Sequence, residues 1–226
     1  MNTPVRRIDN MVSEGRIGEL KEIDLTLSLE LADSRFLDPN LSSSGVSLPG
    51  GVLQDFLPHL SYLALHFFGE DEVIRVDGNR FSVERQGGGE SEVIGLDALV
   101  ASRGKRGRLR VSPDVKPDMF RLSVHGEKGF LETDLFNPYM RFEGAPNLGK
   151  RTALGRLLVG AEFVQSSVRL FLQKVARVDP YEGMRPMLER FYNSLDEGYG
   201  FAPERKMSLK TADLIDQINA LPCHHY

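Results

Sequence analysis

Tryptophan is missing from the 226 residues, cysteine occurs once, as Cys223, and histidine only five times. A lone cysteine excludes an internal disulfide framework and suits a reducing compartment, which makes the cytoplasm the expected location. No stretch reaches the roughly 18 uncharged apolar residues that a membrane span needs, so no span is expected. The opening MNTPVRRIDNMVSEG likewise lacks the apolar run of a signal peptide. An excess of one charge is missing too. The 28 Lys and Arg stand against 32 Asp and Glu, the net charge is −4, and the two signs are interspersed. Nucleic-acid binders carry a basic footprint, so nucleic acid is not an expected partner. There is no internal repeat. Metal ligands are sparse as well: Cys223, His224 and His225 are adjacent in the chain, and neighbours in sequence rarely build a tetrahedral site unaided. No metal is expected, and the terminal CHHY reads as a frayed tail.

What the chain does contain is period. Thr3 can cap a first short helix with Pro4 at its first position, and Gly15 can end it in a left-handed conformation. In LKEIDLTLSLEL, Ile23, Leu25, Leu27, Leu29 and Leu31 alternate with Glu22, Asp24, Thr26, Ser28 and Glu30. That period of two predicts a long strand with one buried face. Residues 33–49 are rich in Ser, Asp, Asn and Pro and read as a loop. Period-two runs return in EVIRVDG, RFSVERQ, EVIGLDALVAS, GRLRVS, MFRLSVHG and GFLETDL, separated by Gly, Pro and Asp signals that favour hairpins over βαβ units. QGGGES, followed by a strand pattern, reads as a hairpin loop, and His125 before GEKG as a strand-end residue. From Thr152 to Arg177 the pattern turns helical, with Leu154, Leu157, Leu158, Ala161, Val164, Val168, Phe171, Leu172 and Val175 on one stripe. Arg156, Arg169, Lys174 and Arg177 lie opposite that stripe. Core packing is the expected use of such a helix, with a membrane surface or a partner as alternatives. GMRPMLERFYNSLDEG and a last helix capped by Ser208 complete the pattern. Strands in the middle and helices on both sides predict an α+β domain with helices on one face of the sheet.

The stretch LPGGVLQDFLPHLSYLALHFFGE, residues 48–70, carries the chemistry. At 100° per residue its apolar side chains fill one broad arc, and Asp55, His59, Tyr62 and His66 form a narrow stripe opposite. A carboxylate and an imidazole at i and i+4 can touch, and the carboxylate would orient the ring as a general base requires. Gly50 and Gly51 have no side chains and leave room for a substrate or cofactor at the start of the helix. Pro58 removes one helical hydrogen bond and should kink the helix. On spacing alone, the solvated face of an amphipathic helix is the simpler reading.

The same stretch resembles the Gly-Gly-x-x-x-Asp-x-x-x-His segment of the Gfo/Idh/MocA family of NAD(P)-dependent oxidoreductases. SEGRIGEL before the long strand is similar to the family's short helix, Gly-x-x-Gly turn and first strand of the C-terminal domain. RLSVHGEKGFLETD is similar to its strand, Gly-x-x-Gly turn and strand, and the segment from Gly183 to Leu221 to its closing helices. The resemblance implies one C-terminal domain over residues 1–226, with a helical insertion at 146–180. It implies an open, largely antiparallel sheet with helices on one face, as in the C-terminal domain of glyceraldehyde-phosphate dehydrogenase. It also implies His59 as the base for a substrate hydroxyl, Asp55 as its partner, and Gly50, Gly51 and Tyr62 near substrate or cofactor. Many members carry an aspartate where this chain has Tyr62. The family's Rossmann domain, with its glycine-rich fingerprint and Glu-Lys-Pro motif, has no counterpart in these residues, and VKP at Val115 to Pro117 follows the histidine instead of preceding it. NAD or NADP is therefore implied by the resemblance while its binding domain is absent from the chain.

The expected function is the substrate-binding and oligomerisation half of a dehydrogenase acting on a sugar, polyol or related hydroxy compound. Its expected partners are that small molecule, a second copy through the sheet face, and a Rossmann domain in trans. The alternative is a non-catalytic sugar-binding or dimerisation module.

Overall fold

The computed structural model describes residues 3–29, 51–69, 73–83, 92–112, 115–144, 150–175, 192 and 202–225. The helices are α1 (Thr3–Ser13), α2 (Gly51–Phe68), α3 (Lys150–Val175) and α4 (Ala202–Asn219). The strands are β1 (Leu20–Ser28), β2 (Arg75–Val83), β3 (Glu92–Ser102), β4 (Lys105–Ser112), β5 (Met119–Gly126), β6 (Gly129–Asp134), β7 (Arg141–Gly144) and β8 (Cys223–His225). They hydrogen-bond in the order β7-β6-β5-β1-β4-β3-β2-β8. Pairs β2–β3, β3–β4, β5–β6 and β6–β7 are antiparallel, whereas β1–β4 and β2–β8 are parallel. The fold is α+β, an open and largely antiparallel sheet with helices packed on one face. The expected loop at 33–49, the QGGGES hairpin and the helix in GMRPMLERFYNSLDEG lie outside the described residues.

The chain divides into two compact units. One comprises Met1–Lys21 and Arg121–Pro203, the other Glu22–Phe120 and Glu204–Tyr226. In the first, Gly15 and Gly18 take left-handed φ values of 70° and 73°, which closes the Gly-x-x-Gly turn after α1. The second Gly-x-x-Gly turn docks on the first. Lys128 donates its backbone N–H to the Ile17 carbonyl at 2.7 Å, and Glu127 donates to Glu19 at 3.1 Å. A Cβ on Gly126 would fall 2.3 Å from the Ile17 carbonyl oxygen, so the approach of the two turns requires glycine there. In the same unit the Tyr139 hydroxyl, between β6 and β7, donates to Glu132 of β6 at 2.7 Å. Burial, and then that bond to a carboxylate, push the Tyr139 phenol well above its ordinary pKa. Arg141 bonds Glu143 through Nε at 2.9 Å and covers the Phe130 ring at 5.1 Å.

Helix α3 overturns the core-packing expectation. Leu157, Val164, Val168, Phe171, Leu172 and Val175 are all more than half exposed. The helix instead rests on the unit through its other side, where Phe163 meets the Tyr139 ring at 5.4 Å. Helical period identifies an apolar face; it does not say what that face meets.

In the second unit, strand alternation sorts two faces. Ile23, Leu25 and Leu27 of β1, Leu96, Ala98 and Val100 of β3, and Leu109 and Val111 of β4 are buried. Helix α2 packs on β3 and β4. A Cβ at Gly107 would lie 3.2 Å from the Phe68 ring, so the glycine makes room for the last residue of the helix. Gly69, at φ 71°, ends α2, and the Lys105 ammonium donates to the Phe68 carbonyl at 2.8 Å. A cation there also complements the negative end of the helix dipole. Pro58 is exposed inside a helix that runs unbroken from Gly51 to Phe68. Leu214 and Ile218 of α4, and Leu221 just after it, enter the core.

Two strand expectations need correction. EVIRVDG and RFSVERQ are one strand, β2, because Gly78 is not a turn residue: it holds φ 143° where β2 crosses close to the Asp97 carbonyl. CHHY is no frayed tail either. Residues 223–225 form β8 along the β2 edge, Arg80 donates its backbone N–H to the Pro222 carbonyl at 2.8 Å, and Ser82 Oγ bonds His225 Nδ1 at 2.6 Å.

The polar face of this unit carries charge in columns. Glu22 and Asp24 of β1 stand in register with Arg106 and Arg108 of β4, and Arg106 Nε reaches Glu22 at 2.6 Å. Arg108 grips Asp97 with Nε at 3.1 Å and Nη2 at 2.8 Å, and Arg110 lies 3.6 Å from the same carboxylate. Glu22, Asp24, Arg106 and Arg108, with Leu99 and Gly107, line a shallow depression of about 310 Å³. Ser28, at the end of the expected polar face of β1, is buried. The Arg108 fork holds the Asp97 carboxyl below its ordinary value. A depressed folded pKa stabilises fully above the unfolded value near 4 and is lost as pH falls through the folded value. Wild-type melting temperature should therefore drop more steeply than that of Asp97→Asn as pH falls below about 4. Solvent screening keeps the difference small, and equal slopes would refute it.

Candidate active site on helix α2

Among the described side chains of α2, burial leaves a narrow strip most open to solvent. Leu53, Leu57, Leu60, Leu63, Ala64, Phe67 and Phe68 are buried, whereas Asp55, Pro58, His59 and Tyr62 are exposed and His66 is half-buried. The 3.6-residue period thus brings Asp55, His59, Tyr62 and His66 onto one line along the helix, as the sequence pattern predicts. Their contacts are unequal. Tyr62 and His66 stack with ring centroids 6.3 Å apart, and His66 meets Phe67 edge-on at 5.1 Å. Asp55 and His59 share the strip without a hydrogen bond or ion pair between them. Gly51 is the first residue of α2; Gly50 lies outside the described residues. The depression near Arg106 and Arg108 is on the opposite side of the sheet from α2 and includes none of these side chains.

The strip can present an imidazole and a carboxylate one turn apart to an approaching small molecule. Both are held by a helix whose other faces are locked in the core, so their positions are fixed by the fold more than by each other. A dinucleotide finds less. Its pyrophosphate is held where a strand passes through a glycine turn into a helix. Among the described residues no strand leads into α2, and the turns at Gly15–Gly18 and Gly126–Gly129 lead into strands. The described residues do not fit the pyrophosphate. Among the described residues no cluster of three or more His, Cys, Asp or Glu side chains is arranged to hold a metal, and no helix is long and apolar enough to cross a membrane.

Sequence reasoning missed the arginine column of β4. Its signal was present: KRGRLRVS places Arg106, Arg108 and Arg110 two apart, hence on one face of a strand. It also missed β7 and β8, which are too short to show a period.

The family model of the GFO/IDH/MocA C-terminal domain matches residues 5–132, from α1 into β6 and including α2. No curated protein matches the chain. Among solved structures, a 3-ketoreductase from Actinomadura kijaniata, in complex with NADP, is similar at 16% identity. The match covers 98% of this chain and 58% of that one, with a TM-score of 0.60. A WlbA dehydrogenase from Bordetella pertussis, in complex with NADH and UDP-GlcNAcA, is similar at 13% identity. Here 96% of this chain and 58% of that one are covered, with a TM-score of 0.58. At such identities the likeness is one of fold, and the chain spans less than two thirds of the length of these relatives. With more than half of its residues matched by the family model, the chain belongs to the GFO/IDH/MocA C-terminal domain family.

Proposed function

We propose that the chain is the substrate-binding and oligomerisation half of an NAD(P)-dependent oxidoreductase acting on a sugar, polyol or related hydroxy compound. The observation that carries this reading is the position of His59 and Asp55 on the one solvent-facing strip of α2, inside the span matched by the family model. The solved relatives point the same way: one is a 3-ketoreductase in complex with NADP, the other a dehydrogenase in complex with NADH and UDP-GlcNAcA.

The chain's own contribution is the proton. His59 takes it from the substrate hydroxyl, Asp55 orients the ring when substrate is bound, and Gly50, Gly51 and Tyr62 shape the approach. Apo geometry of such pairs is often loose and tightens in the complex. The nicotinamide is held by a dinucleotide-binding domain, joined or in trans. The helical insertion at 146–180 adds α3, which lies outside the matched span.

The polar sheet face with its acidic and basic columns is the surface through which copies of the chain associate. Glu22 and Asp24 beside Arg106 and Arg108 present both signs, so a twofold-related copy can set acid against base. The second reading, a sugar-binding or dimerisation module without redox chemistry, keeps this face and dispenses with the proton transfer.

The test is reconstitution. The chain is fused to, or mixed with, a dinucleotide-binding domain of the family, and reduction of NAD and NADP is followed with a panel of sugars and polyols. Hydroxy-compound-dependent reduction is expected. If no reduction occurs while sugars still bind the chain, measured by calorimetry, the module reading replaces the enzyme reading.

A further inference from the structure

Helix α3 presents its broad apolar stripe to solvent, and nothing in the reading of α2 uses it. Leu157 is 71% exposed, Val164 64%, Phe171 67% and Val175 65%. With Val168 and Leu172, these side chains offer on the order of 700 Å² of accessible surface, close to the roughly 800 Å² that each partner gives to a stable complex. A patch of that size on a soluble chain marks an interaction surface. Its spacing says what kind. From Leu154 to Val175 apolar residues recur at alternating intervals of three and four without a break. That is the 3.5-residue repeat of a helix that packs along another helix.

The stripe is also matched to itself. About Ser166 as centre, Leu157 pairs with Val175, Val164 with Val168, and Ala161 with Phe171. The small Ala161 thus falls opposite the large Phe171 when two copies run antiparallel. Antiparallel pairing also keeps the cationic first turns, with Lys150 and Arg151, at opposite ends, and opposes the two helix dipoles.

We propose that α3 is a self-association helix. The α3 of a second copy lies antiparallel along the Leu157–Val175 stripe, and Phe171 of each copy fills the space beside Ala161 of the other. This contact is separate from the sheet face and independent of the proton-transfer reading.

Cross-linking tests it on the whole chain. In a Cys223→Ser background, Leu157→Cys and Val175→Cys variants, one carrying a size tag, are mixed and oxidised. The mixed disulfide should form at least tenfold faster than either like-with-like disulfide, because only antiparallel pairing brings 157 to 175. Val164→Glu with Phe171→Glu, both at exposed positions that leave the fold unstrained, should abolish the cross-link and leave the melting temperature of the chain unchanged. Like-with-like disulfides forming equally fast, or no cross-link at all, would overturn the proposal. So would cross-linking only after addition of phosphatidylserine vesicles, which would make the stripe a membrane-binding surface.

Discussion

His59→Ala is expected to lower turnover about a hundredfold or more in the enzyme reconstituted with a dinucleotide-binding domain, as loss of a general base commonly does. The size of the effect follows from the role. A hydroxyl must lose its proton as the neighbouring carbon loses hydride, and without a base the charge that develops on oxygen is left to water. The variant should stay folded, because His59 is exposed and forms no hydrogen bond or ion pair with Asp55. Unfolding curves that coincide with wild type would establish that the loss is chemical. Asp55→Asn should fall between the two, since it acts through the ring it orients. His66→Ala, which removes the ring contacts with Tyr62 and Phe67 and leaves His59 in place, is the control. Unchanged turnover in His59→Ala would reduce the α2 strip to the solvated side of an amphipathic helix, and the family likeness would then end at the fold.

Gly78→Ala should destabilise the chain by about 3 kcal/mol or more, combining backbone strain of about 1–3 kcal/mol with overpacking of similar size. Gly78 holds φ 143°, which L side chains rarely adopt. Its added Cβ would lie 2.2 Å from the Asp97 carbonyl oxygen and 2.7 Å from the Ala98 Cα. Both neighbours are backbone, so the contact is relieved only by parting β2 from β3, the pair that also carries β8 at its edge. For a chain of this size the melting temperature should fall by roughly 6–12 °C. Gly104 provides the comparison. It has φ 75° with nothing within 4 Å of a built Cβ, so Gly104→Ala meets strain alone and should lose about 1 kcal/mol. A Gly78→Ala melting temperature equal to that of Gly104→Ala would show that β2 and β3 can separate at no cost.

Where periodicity met burial directly, the sequence was legible. The alternation at Ile23, Leu25 and Leu27 marks the buried face of β1, and the stripe of Asp55, His59, Tyr62 and His66 is the exposed strip of α2. The family resemblance rested on these and on the two Gly-x-x-Gly turns, and the family match agrees with it. What escaped were features set by tertiary approach. Gly78 looks like a turn residue, yet it is a mid-strand glycine because of an oxygen on the neighbouring strand. The two Gly-x-x-Gly turns are far apart in sequence, and only in the folded chain does the second dock on the backbone of the first. The apolar stripe of α3 follows core rules and faces outward. The last residues looked too few to form anything, and they form a strand because an edge was waiting for them.

That edge has a temporal meaning. The unit comprising Glu22–Phe120 is completed only by Glu204–Tyr226, so the intervening stretch must be synthesised first. At ribosomal rates this takes roughly 4–17 s. Through that interval the growing chain carries the β2 edge without β8, and a core without Leu214, Ile218 and Leu221. An open strand edge beside unfilled apolar space is a template for other chains. Nascent copies on neighbouring ribosomes would be most prone to cross-pair in this window, and a chaperone that shields strand edges would matter most to this protein then.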